Sequence, residues 1–388
     1  MTDRPRASEL FLAHLNAVAD TDVTVLLRCA TASDATRVRD ALARGGSASP
    51  VSSIGERGRA IERARRAPVR LGRLELDGDP VRIGPFDVVT AGSTVVVRWC
   101  HLAGDARSCQ EVVLDCLATV GPVCQCVRFG AKPLTPADAW PLVRGDSGLL
   151  DVARTGGAAV APMLGPATRL VATSATGDDQ DAFAVVRWCA APVPGVSRFA
   201  QVTGTVAGAA AARSPVRVGV TVDLRRHEPL LARTGSAGNL SLVGWIKTGD
   251  TAIRRLVAQR FWRQQLAFDA WLSRPATAWL AARSDAVLGR LARRAPVTVT
   301  ELWRDDAPTC ESCGLARGRL PAGVSPVVIP PALPPAGLTV GITRTDDELL
   351  VVLRRMTEPG TSASGWLDAL VARLPAEPVP LGGPIRYR

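Results

Sequence analysis

The residues of this 388-residue chain best suited to chemistry are His101 and Asp105, set four apart in His101-Leu102-Ala103-Gly104-Asp105. An imidazole has an ordinary pKa of about 6.5, so at neutral pH it can take a proton from an attacking hydroxyl or amine. The other two histidines are weaker candidates: His14 lies near the terminus, and His227 follows an arginine pair in a loop-like stretch. Both read as structural or exposed. Cys124-Gln125-Cys126 and Cys310-Glu311-Ser312-Cys313 together hold four thiols, the number a tetrahedral zinc site needs. One arm is Cys-x-Cys and the arms lie far apart in sequence, so they read as packed thiols and no metal site is expected. A thioredoxin-like use of Cys310 and Cys313 would need a strand-turn-helix context that their surroundings lack. The sequence contains no phosphate-cradling glycine loop, dinucleotide fingerprint or Gly-x-Ser-x-Gly elbow, which sets aside nucleotide-dependent and serine-hydrolase chemistry.

The elements that must position His101 are legible as apolar runs. Val23 to Arg28 reads as a buried strand, and Asp34 to Arg44 as a helix stopped by Gly45-Gly46. Val69 to Leu76 and Phe86 to Cys100 read as strands, the second dense in β-branched residues and ending one residue before His101. Ser108 to Val120 carries Val112, Val113, Cys116, Leu117 and Val120 at helical spacing. His101 therefore falls at a strand-to-helix junction. Glu56 to Ala67, arginines among alanines, reads as a solvated helix face, with a docking patch for an acidic partner as the alternative.

The stretch from Gly121 to Asp179, rich in Gly, Pro, Ala and Thr, marks a passage between two halves, with the boundary near residue 170. Beyond it the pattern predicts a strand at Phe183 to Cys189, a helix at Val196 to Arg213, and a strand at Val216 to Leu224. Two long helices follow, Thr251 to Leu272 and Ala276 to Arg294. Pro321 to Pro335 is too rich in proline for a regular element, Leu338 to Thr343 and Glu348 to Arg354 form a hairpin, and Gly365 to Leu374 is the closing helix. Val-Val-Arg-Trp-Cys occurs at Val96 to Cys100 and again at Val185 to Cys189, once in each half. Chance and an echo of two similarly built halves both remain readings of this repeat.

His101-x-x-x-Asp105, followed in the second half by Val222-Asp223-Leu224-Arg225 and Gly238-Asn239, resembles the signature of the chloramphenicol-acetyltransferase-like and condensation-domain superfamily. The fuller family motif is His-His-x-x-x-Asp-Gly. Cys100 replaces the first His and Ala106 the Gly, while the His and Asp pair is kept. The aromatic, glycine-containing motif that plant members carry late in the chain has no counterpart.

This resemblance implies an α/β (α+β) fold of two subdomains, residues 1–170 and 171–388, arranged as a V with mixed sheets flanked by helices and a central channel. It implies an acyltransferase in which His101 is the general base. The acyl group would move from a coenzyme A or carrier-protein thioester to a hydroxyl or amine of a secondary metabolite or lipid. It further implies that Asp105 points away from the channel and pairs with Arg225, aiming the imidazole. Asn239 keeps two readings, a channel or oxyanion group and a turn residue. No cofactor is needed beyond the thioester co-substrate. The alternatives are a free-standing amide-forming or cyclising condensation enzyme and a non-catalytic member that binds a carrier protein. A satisfied structural histidine at a strand end also remains a reading of His101.

Composition bounds the same picture. Apolar residues make up 47% and charged residues 21%, which excludes a disordered chain. Lys and Arg total 47 against 36 acids, a net charge of +11 that suits an acyl carrier protein or a coenzyme A phosphate as partner. Nucleic acid is not expected, because one Tyr and seven scattered Phe provide no stacking platform. The odd, irregular set of nine cysteines fits a reducing cytoplasm, and no secretory signal or membrane span is evident.

Overall fold

A computed structural model describes residues 21–48, 74–76, 80–83, 86–101, 104–117, 169–172, 175–212, 216–223, 241–247, 283, 286, 294, 296–304, 319–332, 337–381 and 385–387. The expected helices at Glu56 to Ala67, Thr251 to Leu272 and Ala276 to Arg294 lie wholly or almost wholly outside these residues. Among the described residues no helix is long and apolar enough to cross a membrane.

The first half opens with β1 (Val23–Arg28) and α1 (Ala32–Ala48), followed by β2 (Leu74–Leu76), β3 (Val81–Ile83), β4 (Phe86–Ala91), β5 (Thr94–Trp99) and α2 (Ala106–Leu117). The second half holds β6 (Asp181–Trp188), α3 (Arg198–Ala210), β7 (Arg217–Asp223), β8 (Ser241–Lys247), β9 (Val297–Arg304) and β10 (Ser325–Ile329). It ends with β11 (Leu338–Arg344), β12 (Leu349–Met356), α4 (Ala363–Val371), β13 (Ala376–Pro378) and β14 (Ile385–Tyr387). Two large sheets result. One has the order β10-β1-β5-β4-β3 and is antiparallel throughout its described ladders; the other, β13-β6-β12-β11-β9-β7-β8, is mixed, with β9 parallel to both β11 and β7.

The central strands are apolar on both faces because each face is covered. Val23, Val25 and Leu27 of β1 and Val95, Val97 and Trp99 of β5 share a core with Ala35, Val38 and Leu42 of α1 and Cys109, Val113 and Leu114 of α2. In the other sheet Val186, Trp188, Val351 and Leu353 share a core with Val202, Val206, Trp366, Leu367 and Leu370 of α3 and α4. The opposite faces meet each other in a third cluster, Leu26, Val96, Val327 and Ile329 against Val185, Leu350 and Val352. This inter-sheet seam is apolar in its middle and ionic at both ends. At one end Glu348 accepts from Arg28 at 3.2 Å and from Arg187 at 3.5 Å. At the other, Arg98 Nε donates to Asp22 at 2.9 Å, and Arg354 grips both carboxylate oxygens of Asp181 at 3.2 and 2.8 Å while donating to the Pro330 carbonyl at 3.0 Å.

Several local expectations hold: the strand at Val23–Arg28, the strands and helices at 181–188, 198–210 and 217–223, and the hairpin of β11 and β12. Four are corrected. The run from Phe86 to Cys100 is two strands, folded back at Gly92, whose φ of +54° suits a residue without a Cβ. Gly45 does not stop α1, which continues to Ala48. A Cβ at Gly45 would stand 2.7 Å from the Cys116 sulfur and 2.8 Å from its Cα, so this glycine serves the close approach of α1 to α2. The proline-rich stretch holds a strand after all: β10 pairs with β1, setting Pro326 opposite Leu27. Proline is tolerated there because β10 is the edge of its sheet. Finally, α4 is not the last element, since β13 joins β6 and β14 pairs with β2. Strand β10 comes from beyond residue 170 yet belongs to the sheet of the first half.

Candidate active site

His101 is the second residue past β5, and the chain around it is fixed from both sides. On the strand side Trp99 is fully buried, and its indole Nε1 donates to the Gly104 carbonyl at 2.8 Å, closing the loop over five residues. On the helix side Asp105, 2% exposed, is the N-cap of α2: its Oδ1 accepts from the Ser108 amide at 2.9 Å and from the Ser108 hydroxyl at 3.1 Å. Gly104 lets these two sides come together. A Cβ there would lie 2.7 Å from Ser108 Cβ and 3.2 Å from the Trp99 ring. The turn that carries His101 is thus set by a strand, a helix cap and a glycine between them.

The helix itself is tied down. Gln110, 1% exposed, donates to the Arg304 carbonyl of β9 at 2.7 Å and accepts from Arg107 at 2.9 Å. Arg107 also pairs with Glu111 one turn on. Leu302 and Trp303 of β9 add apolar weight to the same core. So the segment after His101 is anchored to a strand of the other sheet, and the junction is held by both halves of the molecule.

His101 is half-buried, with Nδ1 inside the protein, while Trp99, Cys100 and Asp105 around it are buried. Cys100 and Cys109 beside it are not placed to act as nucleophiles. Cys100 is 3% exposed and packed in the core. Burial, and after it the neighbouring carboxylate of Asp105, push the Cys109 thiol well up, so it stays protonated and inert.

His101 and Asp105 are therefore brought to one turn, as their spacing suggested. The expected partner of Asp105, Arg225, and the candidate Asn239 lie outside the described residues, as do His14, His227, Cys124, Cys126, Cys310 and Cys313. Among the described residues no cluster of three or more His, Cys, Asp or Glu side chains suited to a metal ion occurs. Sequence reasoning missed Trp99, Gly104, Ser108 and Gln110. The one available signal was that Trp99 and Gly104 flank the histidine in a stretch otherwise read only for its strand and its His-x-x-x-Asp spacing.

The two copies of Val-Val-Arg-Trp-Cys occupy matched places. Val96 and Val185 both face the inter-sheet seam, Val97 and Val186 both enter a helix-covered core, Trp99 and Trp188 do the same, and Arg98 and Arg187 both make ion pairs at the seam's ends. Each copy ends a strand and leads through a loop to a capped helix, Asp105 capping α2 and Ser197, through the Ala200 amide at 3.1 Å, capping α3. After the first copy stands His101; after the second stands Ala190.

No protein-family model and no curated protein sequence matches the chain. Solved structures do. The TRI3 trichothecene 15-O-acetyltransferase from Fusarium sporotrichioides is similar at 12% identity and a TM-score of 0.53, over 95% of this chain and 93% of that one. The EpoB cyclization-docking bidomain of a nonribosomal peptide synthetase from Sorangium cellulosum is similar at 13% identity and a TM-score of 0.51, over 94% of this chain and 81% of the other. The nonribosomal peptide synthetase FmoA3 aligns with 95% of this chain over 42% of its own length, at 18% identity and a TM-score of 0.52. These likenesses extend over nearly the whole chain, and its two sheets flanked by helices share the fold of those proteins.

Proposed function

We propose that the chain transfers an acyl group from a coenzyme A or carrier-protein thioester to a hydroxyl or amine acceptor, with His101 as general base. The observation that carries this reading is the contrast between the twin pentapeptides. The second copy leads from a similar strand and tryptophan-containing core to a capped helix with Ala190 in place of His101, which favours a role for the imidazole other than holding the fold. A polar ring kept half-exposed on a turn that three separate interactions fix is an arrangement suited to proton transfer.

In this mechanism the acceptor's O–H or N–H loses its proton to the His101 imidazole as the oxygen or nitrogen attacks the thioester carbonyl carbon. The tetrahedral intermediate then collapses, the carbon–sulfur bond breaks, and the imidazolium returns the proton to the departing thiolate. The new bond is an ester or an amide. Asp105 acts through position: its bonds to Ser108 hold the loop, and an ion pair with Arg225 completes its role in this proposal. A channel between the halves, entered by donor and acceptor from opposite faces, belongs to the same reading, and Asn239 is its candidate lining or oxyanion group. The excess of basic residues suits a carrier protein or the phosphates of coenzyme A as the donor's handle.

The buried Cys100, standing where the fuller motif has its first histidine, favours one second reading, a member that binds a carrier protein without turnover. A panel of acyl-coenzyme A and acyl-carrier-protein thioesters mixed with pooled alcohols and amines, followed by mass spectrometry, separates the two. Acylated product, as ester or amide, establishes transfer and names the acceptor class. Carrier-protein binding with no product from any mixture selects the second reading.

A further inference from the structure

Arg354 and Arg355 are neighbours in β12 with opposite fates. Arg354 points into the seam, where all three of its described hydrogen bonds go to Asp181 and to the Pro330 carbonyl. Arg355 lies on the other face, two residues past the core residue Leu353, and its guanidinium carbon sits 4.8 Å from the centroid of the Trp366 ring of α4. It is 8% exposed, and its Nε and Nη1 are buried with no hydrogen-bond partner among the described residues.

A guanidinium keeps its charge under these conditions. Burial lowers the pKa of Arg355 to about 10, with Glu358 acting in the opposite sense, so at neutral pH a full cation is enclosed with the donors of Nε and Nη1 unsatisfied. The indole face offsets part of that cost by cation–π attraction. It also cannot move away, since the Trp366 Nε1 donates to the Val171 carbonyl at 2.8 Å. Glu358 is exposed, in the turn Glu358-Pro359-Gly360 that joins β12 to α4, and makes no hydrogen bond to the guanidinium. The amino end of α4 is already occupied: Ser362 accepts from the Gly365 amide at 3.0 Å and Asp179 from the Ser364 amide at 2.8 Å. Among the described residues around this end of α4, the buried donors without a partner are those of Arg355.

We propose that Arg355, backed by Trp366, is the receptor of an oxyanion, a carboxylate or phosphate group that enters beneath the 358–360 turn and accepts from the buried guanidinium. The site lies on the helix-covered face of the second sheet, away from the His101 turn, and stands whether or not the chain catalyses acyl transfer. Glu358 then competes with the anion for the same cation.

The test is thermal unfolding of the full chain in rising sodium phosphate or sodium acetate, against sodium chloride at equal ionic strength. The wild type is expected to gain Tm saturably with the oxyanion over chloride. A gain with phosphate alone identifies a phosphate receptor, and a gain with acetate a carboxylate receptor. Arg355→Met should lose the gain and Glu358→Gln should reach saturation at lower anion concentration. The proposal is overturned if neither oxyanion raises Tm beyond chloride, or if Arg355→Met gains as much as wild type. Should Arg355→Met not fold, wild-type crystals soaked in selenate decide: an anomalous peak within hydrogen-bond distance of Arg355 supports the site. A water or the Glu358 carboxylate in its place overturns it.

Discussion

The twin pentapeptides end two matching strands and lead into unlike loops. In the second half, Val185 to Cys189 ends β6 and hands over to an exposed loop, Cys189 to Ser197, with Val193 and Val196 open to solvent. In the first, the same five residues end β5 and hand over to a short turn that carries the half-buried His101 between the buried Cys100, Gly104 and Asp105. The strands, cores and helix caps match; what differs is how firmly each loop is tied and what it presents. Trp99 bonds the Gly104 carbonyl, whereas the Nε1 of Trp188 is buried with no partner among the described residues. Arg98 and Asp22 form a pair with side-chain exposures of 9% and 11%, while Arg187 is 51% exposed beside Glu348. The first loop is tied at both ends where the second is exposed, which is the arrangement the proposed role of His101 calls for.

Substitutions that treat the two copies alike should therefore give unlike results. Arg98→Met strands the Asp22 carboxylate in the seam and should cost about 3 to 5 kcal/mol by chemical denaturation. Arg187→Met, at a mostly exposed pair, should cost at most about 1 kcal/mol. Equal losses would mean that the two seam ends are energetically equivalent. Trp99→Phe leaves the Gly104 carbonyl without its donor, so it should cost about 1 to 3 kcal/mol more than Trp188→Phe, which deletes an N–H that has no described partner. The caps should differ less: Asp105→Ala near 2 kcal/mol, since two buried bonds are lost, and Ser197→Ala near 1 kcal/mol at an exposed position.

The smallest effect is a pH dependence of the cap on α4. Partial burial acts to raise the pKa of Asp179, but hydrogen bonds from Ser364 and Ser362 outweigh it and hold the carboxyl below the ordinary carboxylate range. Its contribution is therefore complete above that range and fades as pH falls through the depressed value. Asp179→Asn should flatten that acid limb of the stability profile slightly while leaving neutral stability close to wild type.

Much of this was legible in the chain. β1, β6 and the β11–β12 hairpin are largely apolar runs bounded by turn residues, and such runs declare themselves because burial on both faces leaves polar side chains mainly at the ion-paired ends. The place of His101 and Asp105 between a strand and a helix was legible because the apolar runs on either side are local. Strand β10 was hidden because proline content is a local signal, whereas the tolerance of Pro326 comes from its place at a sheet edge. Gly45 read as a stop because its reason, the close approach of Cys116, is tertiary. The bond from Trp99 to Gly104 and the Gln110 anchor on β9 were invisible for the same cause, since neither has a periodicity of its own.

The most direct test makes the first copy resemble the second. His101→Ala, assayed by mass spectrometry on the thioester and acceptor pair that wild type turns over, should lower turnover by roughly 10²- to 10⁴-fold. Its Tm should stay close to wild type, because the His101 side chain is only half-buried. Turnover undiminished in a folded His101→Ala protein would contradict the assignment of His101 as the base.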